Sequence, residues 1–281
     1  MSTELGECQT DANGNVYVAG YTSGDLDGNT LTGTIESFVT KYDSSGVKQY
    51  TRQMGVAGQD TVGQSVATDA NGNVYVAGST TGGLDGNTLT GIIESFVTKY
   101  DSSGVKQYTR QLGVAVKDTY GLSVATDANG NVYVTGYTGG GLDGNTLTGT
   151  YDFFVTKYDS SGVKQYTQQL GVAGKYTAGV SAATDASGNV YVTGYTGGGL
   201  DGNTLTGTIE SFVTKYDSSG VKQYTRQLGV TGHHTYGRSV ATDASGNVYV
   251  AGLTDGGLDG NTLTGTNDSF VTKYNSSGVK Q

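Results

Sequence analysis

The chain of 281 residues contains no proline, no tryptophan and a single cysteine, Cys8. Proline removes a backbone donor, so its absence leaves every position able to join a β-sheet ladder. One cysteine cannot close an internal disulfide, which excludes a small domain held together by disulfides. Charged residues make up only 15% of the chain and hydrophobic residues 35%. We therefore expect a folded protein with a lean core.

The scarcity of basic residues and of long apolar segments excludes several classes of partner. Lys and Arg number 16 against 25 Asp and Glu, and the net charge is −9, whereas nucleic-acid-binding surfaces concentrate basic residues. No apolar run approaches the ~20 residues that a membrane-spanning helix needs. The first ten residues contain neither the basic nor the apolar segment of a signal peptide. We expect no nucleic acid partner, no membrane insertion and no signal peptide in this sequence.

Glycine and tyrosine are abundant instead, with 48 and 21 residues, and they recur in a repeat. The stretch TDANGNVYVAGYT, Thr10–Thr22, returns with small changes at Thr68, Thr126, Thr184 and Thr242, at a constant spacing of 58 residues. Fixed self-similarity of this kind indicates a repeat architecture. We expect a single domain over residues 1–281, with repeats that start near positions 11, 69, 127, 185 and 243.

The turns within one repeat predict four strands. Asn-Gly stands between two β-rich runs, and this pair is the strongest short hairpin signal because both residues accept a positive φ. Asp-Ser-Ser-Gly marks a second hairpin, in which Gly46 and its counterparts supply the left-handed position. The predicted strands are QSVAT, NVYVAGYT, SFVTKY and VKQYTRQLG.

Four antiparallel strands in a repeat of this length favour a β-propeller blade over a solenoid coil, because solenoid repeats are shorter. Apolar or aromatic residues on both faces of the middle strands, such as Val16 and Tyr17, are typical of a blade packed between two neighbours. The fold class predicted is all-β: a five-bladed β-propeller with four antiparallel strands per repeat.

The phrases ATDANGNVYVAGYT and ESFVTKYDSSGVKQYTRQLG resemble the bacterial SBBP-type β-propeller repeat, which is found in cell-surface and secreted proteins. The resemblance covers Thr10–Gln281. It implies one propeller blade per repeat and an extracellular or cell-surface location. It implies no shared catalytic activity.

The two ends of the sequence bear on the fifth blade. The last repeat stops at NSSGVKQ, before most of its fourth strand. By constant offset, residues 1–11 form the innermost strand of the first blade, with Cys8 in the place of Val66; by similarity, Ser2–Gly6 is the missing outer strand of the last blade. The offset is favoured because the residues after Cys8 then keep register. The last blade is thus either incomplete or closed by the N-terminal segment, and an open edge invites pairing with another chain.

Function is expected on the face that carries the long connections between strands, because binding residues concentrate on such loops. One loop repeats as LDGNT, and in another the repeats differ most. We predict a non-enzymatic scaffold that presents these loops to a protein partner or to its own copies. The candidate binding residues on the loop face are Asp27, Asn29, Asp85, Asn87, Asp143, Asn145, Asp201, Asn203, Asp259, Asn261, Lys117, Tyr176, His233 and His234.

A multivalent lectin-like module is the alternative. In it, the LDGNT loop residues Asp27 and Asn29 bind glycans beside aromatic neighbours such as Tyr21, Tyr137 and Tyr195. The same position holds Ser79 and Leu253 in the other repeats, so the aromatic platform is not present in all five. Nothing in the sequence specifies paired acid and base groups, so no enzyme is predicted.

Three small motifs have simpler explanations than a site. Asp11, Asn13 and Asn15 begin like a calcium loop, but Val16 stands where that loop needs glycine, so a hairpin turn is favoured and no cofactor is expected, with calcium a weak alternative. The adjacent histidines His233 and His234 lack a third metal ligand in sequence, so no metal site is predicted. Cys8 is expected to be a small buried hydrophobic residue.

Overall fold

A computed structural model describes residues 2–281, which form nineteen β-strands in five antiparallel sheets. Four sheets have four strands and the last has three, and within each sheet the strands follow one another in chain order. The all-β prediction with four strands per repeat and an incomplete last sheet is confirmed.

The strands occupy equivalent positions in every repeat. The first strands are β1 (Thr3–Thr10), β5 (Thr61–Thr68), β9 (Thr119–Thr126), β13 (Thr177–Thr184) and β17 (Thr235–Thr242). The second strands are β2 (Val16–Thr22), β6 (Val74–Thr80), β10 (Val132–Thr138), β14 (Val190–Thr196) and β18 (Val248–Thr254). The third strands are β3 (Glu36–Tyr42), β7 (Glu94–Tyr100), β11 (Asp152–Tyr158), β15 (Glu210–Tyr216) and β19 (Asp268–Tyr274). The fourth strands are β4 (Lys48–Met54), β8 (Lys106–Leu112), β12 (Lys164–Leu170) and β16 (Lys222–Leu228). Short 3-10 turns lie at Leu84–Gly86, Leu142–Gly144, Leu200–Gly202 and Leu258–Gly260.

The DANGN stretch forms the first hairpin turn, as predicted. The Asp11 carboxylate accepts hydrogen bonds from the backbone amides of Asn13 and Asn15, from the Asn15 side chain and from the Tyr17 hydroxyl. Gly14 has φ +79°, which glycine adopts without strain. Burial opposes ionisation of Asp11, but these hydrogen bonds outweigh it and hold its pKa below the usual value. The carboxylate thus serves the turn itself.

The N-terminal segment lies in the first sheet. Strand β1 pairs with β2, and Cys8 lies opposite Val18, as Val66 lies opposite Val76 in the second sheet. The favoured prediction is therefore confirmed in that Thr3–Thr10 is the first strand of the first sheet, with Cys8 in the place of Val66; Met1 lies outside the described residues. The last sheet contains only β17, β18 and β19 among the described residues.

The chain divides into two compact units, each described by itself. The first unit comprises Met1–Val134 with Tyr158–Lys164, and the second comprises Thr135–Lys157 with Gln165–Gln281. In the first unit, Tyr17 and Ala19 of the first sheet pack in one core with Val74, Val76 and other residues of the second sheet. In the second unit, an equivalent core joins the fourth and fifth sheets and includes Tyr191, Val213, Tyr224, Val240, Val248 and Val250. Burial of such apolar area is the main stabilising term in folding.

A polar contact accompanies this packing of one sheet on the next. In the first unit, the Lys41 ammonium donates to the Ser102 carbonyl, and Arg52 donates to the Gly104 carbonyl. The Tyr50 ring covers Gly104, and the Arg52 guanidinium lies 4.9 Å from the centre of that ring. The Asp-Ser-Ser-Gly turn of the second repeat is thereby held by three side chains of the first.

The prediction for Cys8 is wrong, because the residue is exposed rather than buried. All eight residues of β1 are exposed. The equivalent Val66 is only 2% exposed, because it packs in the core between the first two sheets. Within the first unit, the core between the first two sheets includes Val66 and does not include Cys8.

Candidate functional site

A β-bulge near the start of the first strand is the local feature from which the site is built. In β5, Gly63 lies opposite Gly78 and Ser65 lies opposite Ala77, so Gln64 is the additional residue. The same irregularity occurs at Gly6, Val180 and Arg238. Bulges redirect a side chain and are frequent beside functional sites. The strand also begins at Thr61, three residues before the predicted QSVAT segment.

The repeats differ most in and around this bulge. Positions 58 residues apart are called a column here. From this point the repeats are counted by sheet, each beginning just before its first strand, so the second repeat begins just before β5, and a column is named by its residue in that repeat. Four columns, those of Asp60, Val62, Gln64 and Ser79, define the variable surface. In the fourth repeat they hold Tyr176, Ala178, Val180 and Tyr195; in the fifth they hold His234, Tyr236, Arg238 and Leu253. The variation therefore extends from the predicted loop into strands, where sequence analysis did not place it.

In the second unit, a tyrosine cluster lies on and beside the variable surface. It is defined as Tyr137, Tyr176, Tyr195 and Tyr236, which belong to the four columns, together with Tyr151 from the column of Ile93. The ring of Tyr176 lies 5.4 Å from those of Tyr137 and Tyr151, and it stacks on Tyr195 at 5.8 Å between centroids. Tyr195 meets Tyr236 edge-on at 5.1 Å. These distances lie within the range of favourable aromatic pairs. All five rings are partly exposed.

The hydroxyl groups of the cluster are linked as well as the rings. Tyr176 shares hydrogen bonds with Tyr137 and Tyr195. Burial, followed by the effect of these neighbouring hydroxyls, raises the pKa of Tyr176 well above its usual value. Tyr176 is therefore neutral at physiological pH, and the cluster presents a surface that is both apolar and able to form hydrogen bonds.

One cationic side chain lies against the cluster. The Arg238 guanidinium is 5.3 Å from the centre of the Tyr236 ring and 5.9 Å from that of Tyr195. Both distances are typical of a cation–π contact. Arg238 itself is exposed, so its guanidinium is also accessible to solvent.

The two histidines share one carboxylate beside this surface. The His234 backbone amide donates to an Asp255 oxygen at 2.6 Å, and the His234 Nδ1 lies 2.8 Å from the other oxygen. The His233 Nδ1 lies 3.3 Å from the same carboxylate. The backbone hydrogen bond from His234 is the main reason that the pKa of Asp255 lies below its usual value. Within residues 2–281, no group of three or more His, Cys, Asp or Glu side chains is arranged to hold a metal ion.

In the first unit, the same columns line a recess of about 200 Å³ instead. Its walls are Asp60, Val62, Gln64, Ser79, Thr80, Thr81, Ile93, Tyr120 and Leu122. The difference follows from residue size. Asp60 and Ser79 are small, whereas their counterparts Tyr176 and Tyr195 are large and stack on each other. The name recess is kept below for this cavity with its nine lining residues.

The structure places the predicted LDGNT residues in internal contacts. The Asp27 carboxylate forms an ion pair with Lys48 and accepts a hydrogen bond from the Thr51 hydroxyl. The Lys48 hydrogen bond is the main cause that lowers the pKa of Asp27. The Asn29 amide donates to the carbonyls of Leu26 and Thr51.

These contacts recur along the chain. Ion pairs join Asp85 to Lys106, Asp201 to Lys222 and Asp259 to Lys280. The Thr167 hydroxyl donates to the Asp143 carboxylate. The side-chain amide of each equivalent asparagine donates to the leucine carbonyl three residues before it; these asparagines are Asn87, Asn145, Asn203 and Asn261.

The remaining predicted residues divide between the two units. Lys117 is exposed in the first unit and is not among the residues that line the recess. Tyr176 belongs to the tyrosine cluster, and His234 stacks on Tyr236 at 6.2 Å. Tyr236 and Arg238 were not among the predicted residues. A comparison of the repeats column by column contains the signal, because Tyr236 stands where other repeats carry Val62 and Ala178, and Arg238 stands where others carry Gln64, Leu122 and Val180.

The comparisons with known proteins agree on the fold. The family model described as SBBP, beta-propeller repeat, matches residues 49–85, 107–143, 165–201 and 223–259, together just over half of the chain. Regulatory protein FlaEY of Caulobacter vibrioides is 31% identical over 188 residues, which cover 58% of this chain and 19% of that protein. The chain thus spans about a fifth of that relative's length.

Two solved structures are similar in fold. The β-propeller domain of the trilobed protease from Pyrococcus furiosus has a TM-score of 0.52 at 6% identity, covering 99% of this chain and 70% of that one. A polysaccharide lyase, the PL25 ulvan lyase, has a TM-score of 0.53 at 15% identity, covering 99% and 72%. Enzymes are therefore among the structural neighbours, and at such low identity the likeness shows the fold alone. No helix in residues 2–281 is long and apolar enough to span a membrane.

Proposed function

The chain belongs to the SBBP β-propeller repeat family, and on that premise we propose that it is a non-enzymatic scaffold whose variable surface binds a protein partner. Nearly identical strands provide a rigid frame, and a few columns on it carry different side chains in each repeat. Binding residues are commonly placed in this way on a constant scaffold.

The observation that carries the proposal is the tyrosine cluster with Arg238 in the second unit. Five partly exposed tyrosine rings lie within 6 Å of a neighbouring ring, and a guanidinium stacks on two of them. Tyrosine and arginine are among the residues most enriched at binding hot spots. Tyrosine buries a large, rigid area at little entropic cost, and both side chains can form hydrogen bonds. No other group within residues 2–281 combines these features.

A binding role accounts for the carboxylates better than catalysis does. In each LDGNT loop the aspartate is held by a neighbouring lysine or threonine. The Asp255 carboxylate is held by His234. In the second unit, the four columns of the variable surface hold four tyrosines and no carboxylate, a composition that suits contact area rather than proton transfer.

A display selection tests the proposal. A library of small protein domains is selected against the full chain, and binders are then counter-selected on a variant with Tyr195→Ser and Arg238→Gln. Both replacements are the residues that the second repeat carries at those columns, so the fold tolerates them. We expect binders that the counter-selection removes. If all enriched binders recognise the variant equally well, the proposal is wrong.

Glycan binding is the second candidate, and the observation that favours it is the stacked pair Tyr176–Tyr195. Sugar rings pack on aromatic faces, and the linked hydroxyls can bond to sugar hydroxyls. In the lectin hypothesis, Asp27 and Asn29 would contact the sugar while they also bond to Lys48 and to the Leu26 carbonyl. A glycan array read at high protein concentration tests this candidate, and an array without hits removes it.

Self-association is the remaining element of the proposal. Within residues 2–281, the outer side of β19 has no strand partner, although Tyr274 forms an isolated bridge with Lys280. Val271 on this strand is 72% exposed. A second copy could add a strand to this edge. Light scattering across concentration tests it: we expect dimers that Val271→Lys abolishes, and a monomer at every concentration contradicts self-association.

A further inference from the structure

We propose that the fifth sheet binds an extended Thr-X-Gln segment of another protein, and that the glutamine side chain enters a site formed by the Leu258 backbone amide and the Asp268 carboxylate. These two groups are called the carboxamide site below. The inference goes beyond the proposed function, because none of the residues that line this cavity belongs to the variable surface.

A glutamine side chain occupies the equivalent place in each of the four complete sheets. Its oxygen accepts a hydrogen bond from the backbone amide of the leucine in the LDGNT loop, and its nitrogen donates to the acidic residue that begins the third strand. In the third repeat, Gln169 accepts from Leu142 and donates to Asp152, both at 3.0 Å. The glutamines that form the same pair of contacts in the other repeats are Gln53, Gln111 and Gln227. The fold thus recognises a primary carboxamide through one donor and one acceptor.

The fifth repeat carries the same donor and acceptor without a glutamine between them. Leu258 and Asp268 stand in the columns of Leu142 and Asp152. Among residues 2–281, no hydrogen bond from the Leu258 backbone amide is found. Asp268 is half-buried, whereas Asp152 is 0% exposed. Both groups line a cavity of about 370 Å³ beside β19. The carboxamide site is therefore built as in the third repeat and is open to another molecule.

The Asp268 carboxylate is held in place as the acceptor of this site. The backbone amides of Thr264 and Gly265 donate to it at 2.9 and 3.0 Å, as the equivalent amides do to Asp152. The hydrogen bond from Thr264 is the main reason that the pKa of Asp268 lies below its usual value. An ionised carboxylate accepts a strong hydrogen bond from an amide but repels a second carboxylate. The site should therefore accept glutamine and reject glutamate.

A threonine two residues before the glutamine has waiting partners as well. In the fourth repeat, the Thr225 hydroxyl lies 3.1 Å from that of Thr214, and the Asn203 side chain donates to the Thr225 carbonyl at 3.3 Å. Thr272 and Asn261 take the places of Thr214 and Asn203 in the fifth repeat, and neither contact is found there among residues 2–281. Alternate residues of a strand face the same side. A strand with Thr-X-Gln would thus reach both sets of groups together.

The backbone of β19 can hold such a strand, and its source is another protein. Main-chain pairing at a free sheet edge gives affinity, and pockets for alternate side chains give specificity. Thr-X-Gln occurs in this chain at Thr51–Gln53, Thr109–Gln111, Thr167–Gln169 and Thr225–Gln227, always within a fourth strand that pairs in its own sheet. A second copy could present the pattern only by breaking one of these sheets.

Two hexapeptides that differ at one side chain test the proposal. The first is acetyl-Tyr-Thr-Arg-Gln-Leu-Gly-amide, the sequence of Tyr224–Gly229, and the second has glutamate in place of glutamine. Binding to the full chain is followed through the backbone amide NMR signal of Leu258, at a protein concentration where light scattering shows single copies. We expect the glutamine peptide to shift this signal and to bind at least ~10-fold more tightly than the glutamate peptide. Equal binding of the two peptides, or binding that leaves the Leu258 signal unchanged, would overturn the proposal.

Variants of the chain locate the effect. Asp268→Glu introduces the residue that bonds to the glutamine in the first, second and fourth repeats, so the preference for glutamine should persist. Asp268→Asn removes the charge and should bring the two peptides to within about 3-fold of each other. Asp25→Gly removes a carboxylate outside the site, at a column where the other four repeats have glycine, and should leave both affinities unchanged. The proposal is overturned if Asp268→Asn keeps the full preference or if Asp25→Gly reduces it as much.

The outcome is separable from that of the proposed function. The peptide test depends on the carboxamide site of the fifth repeat, whereas the display selection reports on Tyr195 and Arg238. A preference for glutamine without any selected partner would support the carboxamide site and count against the variable surface. Selected partners without a preference for glutamine would do the reverse.

Discussion

A comparison of alanine variants at two equivalent glycines measures how much the packing of one sheet on the next contributes to stability. Gly46 and Gly104 occupy the same position of the Asp-Ser-Ser-Gly turn, with φ +83° and +79°. A Cβ atom on Gly104 would lie 3.0 Å from atoms of the Tyr50 ring, whereas one on Gly46 would meet nothing within 4 Å. Alanine at either position therefore imposes the same backbone strain, but only at Gly104 does it also disturb the contact with the preceding sheet.

The expected losses follow from these two terms. A left-handed conformation costs a residue with a Cβ roughly 1 kcal/mol more than glycine. Inserting a methyl group into packed surroundings costs about 1–3 kcal/mol, and the lower end applies because the Tyr50 ring need move only slightly. We expect Gly46→Ala to lower the free energy of unfolding by about 1 kcal/mol and Gly104→Ala by about 2 kcal/mol.

Urea unfolding of the full chain, followed by tyrosine fluorescence, provides the assay. A double-mutant cycle with Tyr50→Ala separates the terms, because removing the ring should reduce the cost of Gly104→Ala to that of Gly46→Ala. Equal losses for the two single glycine variants, with Tyr50 present, would refute the reasoning.

Three further predictions concern strain, buried charge and pH. Val116 has φ +53° at a column where three other repeats carry glycine. Val116→Gly should therefore raise the free energy of unfolding by about 1 kcal/mol and move the urea midpoint upward. A lower midpoint would contradict this. The buried Glu94 carboxylate accepts hydrogen bonds from Thr90, Gly91 and Gln111, so Glu94→Gln should cost about 1–3 kcal/mol in the same assay while the exposed Glu4→Gln changes little. Burial raises the pKa of Glu94, but these hydrogen bonds outweigh it and hold the pKa below 4.5, so the stability it contributes is present above about pH 4.5 and is lost as the pH falls through the lower folded value. Thermal melts from pH 6 to pH 2.5 should show a falling midpoint at the acid end, and a constant or rising midpoint contradicts the assignment.

The fold was predictable because glycine and asparagine mark the positions of its turns. The Asn-Gly pairs and the Asp-Ser-Ser-Gly turns fix where strands end, and the constant spacing multiplies that evidence. Register could be carried from Val66 to Cys8 by offset alone. Burial of Cys8 could not, because it depends on whether another sheet covers β1.

The candidate site was harder to predict, since it depends on contacts between repeats. Asp27 and Asn29 were predicted to bind because they are constant and polar, and the structure adds that both also form internal bonds of the loop. Tyr236 and Arg238 lie within a strand, where alternation alone assigns a face but not a neighbour. Only the structure brings Tyr195 of one repeat within 5.1 Å of Tyr236 in the next.

The central claim is that the variable surface, rather than the constant loops, binds the partner. The most direct test is the affinity of a selected partner for three chains: the unaltered chain, the chain with Tyr195→Ser and Arg238→Gln, and the chain with Asp201→Asn in the LDGNT loop of the same unit. The account predicts a loss of at least 10-fold in affinity for the double variant, equivalent to about 1.4 kcal/mol, with Asp201→Asn unchanged. Full affinity in the double variant, with the loss confined to Asp201→Asn, would contradict it.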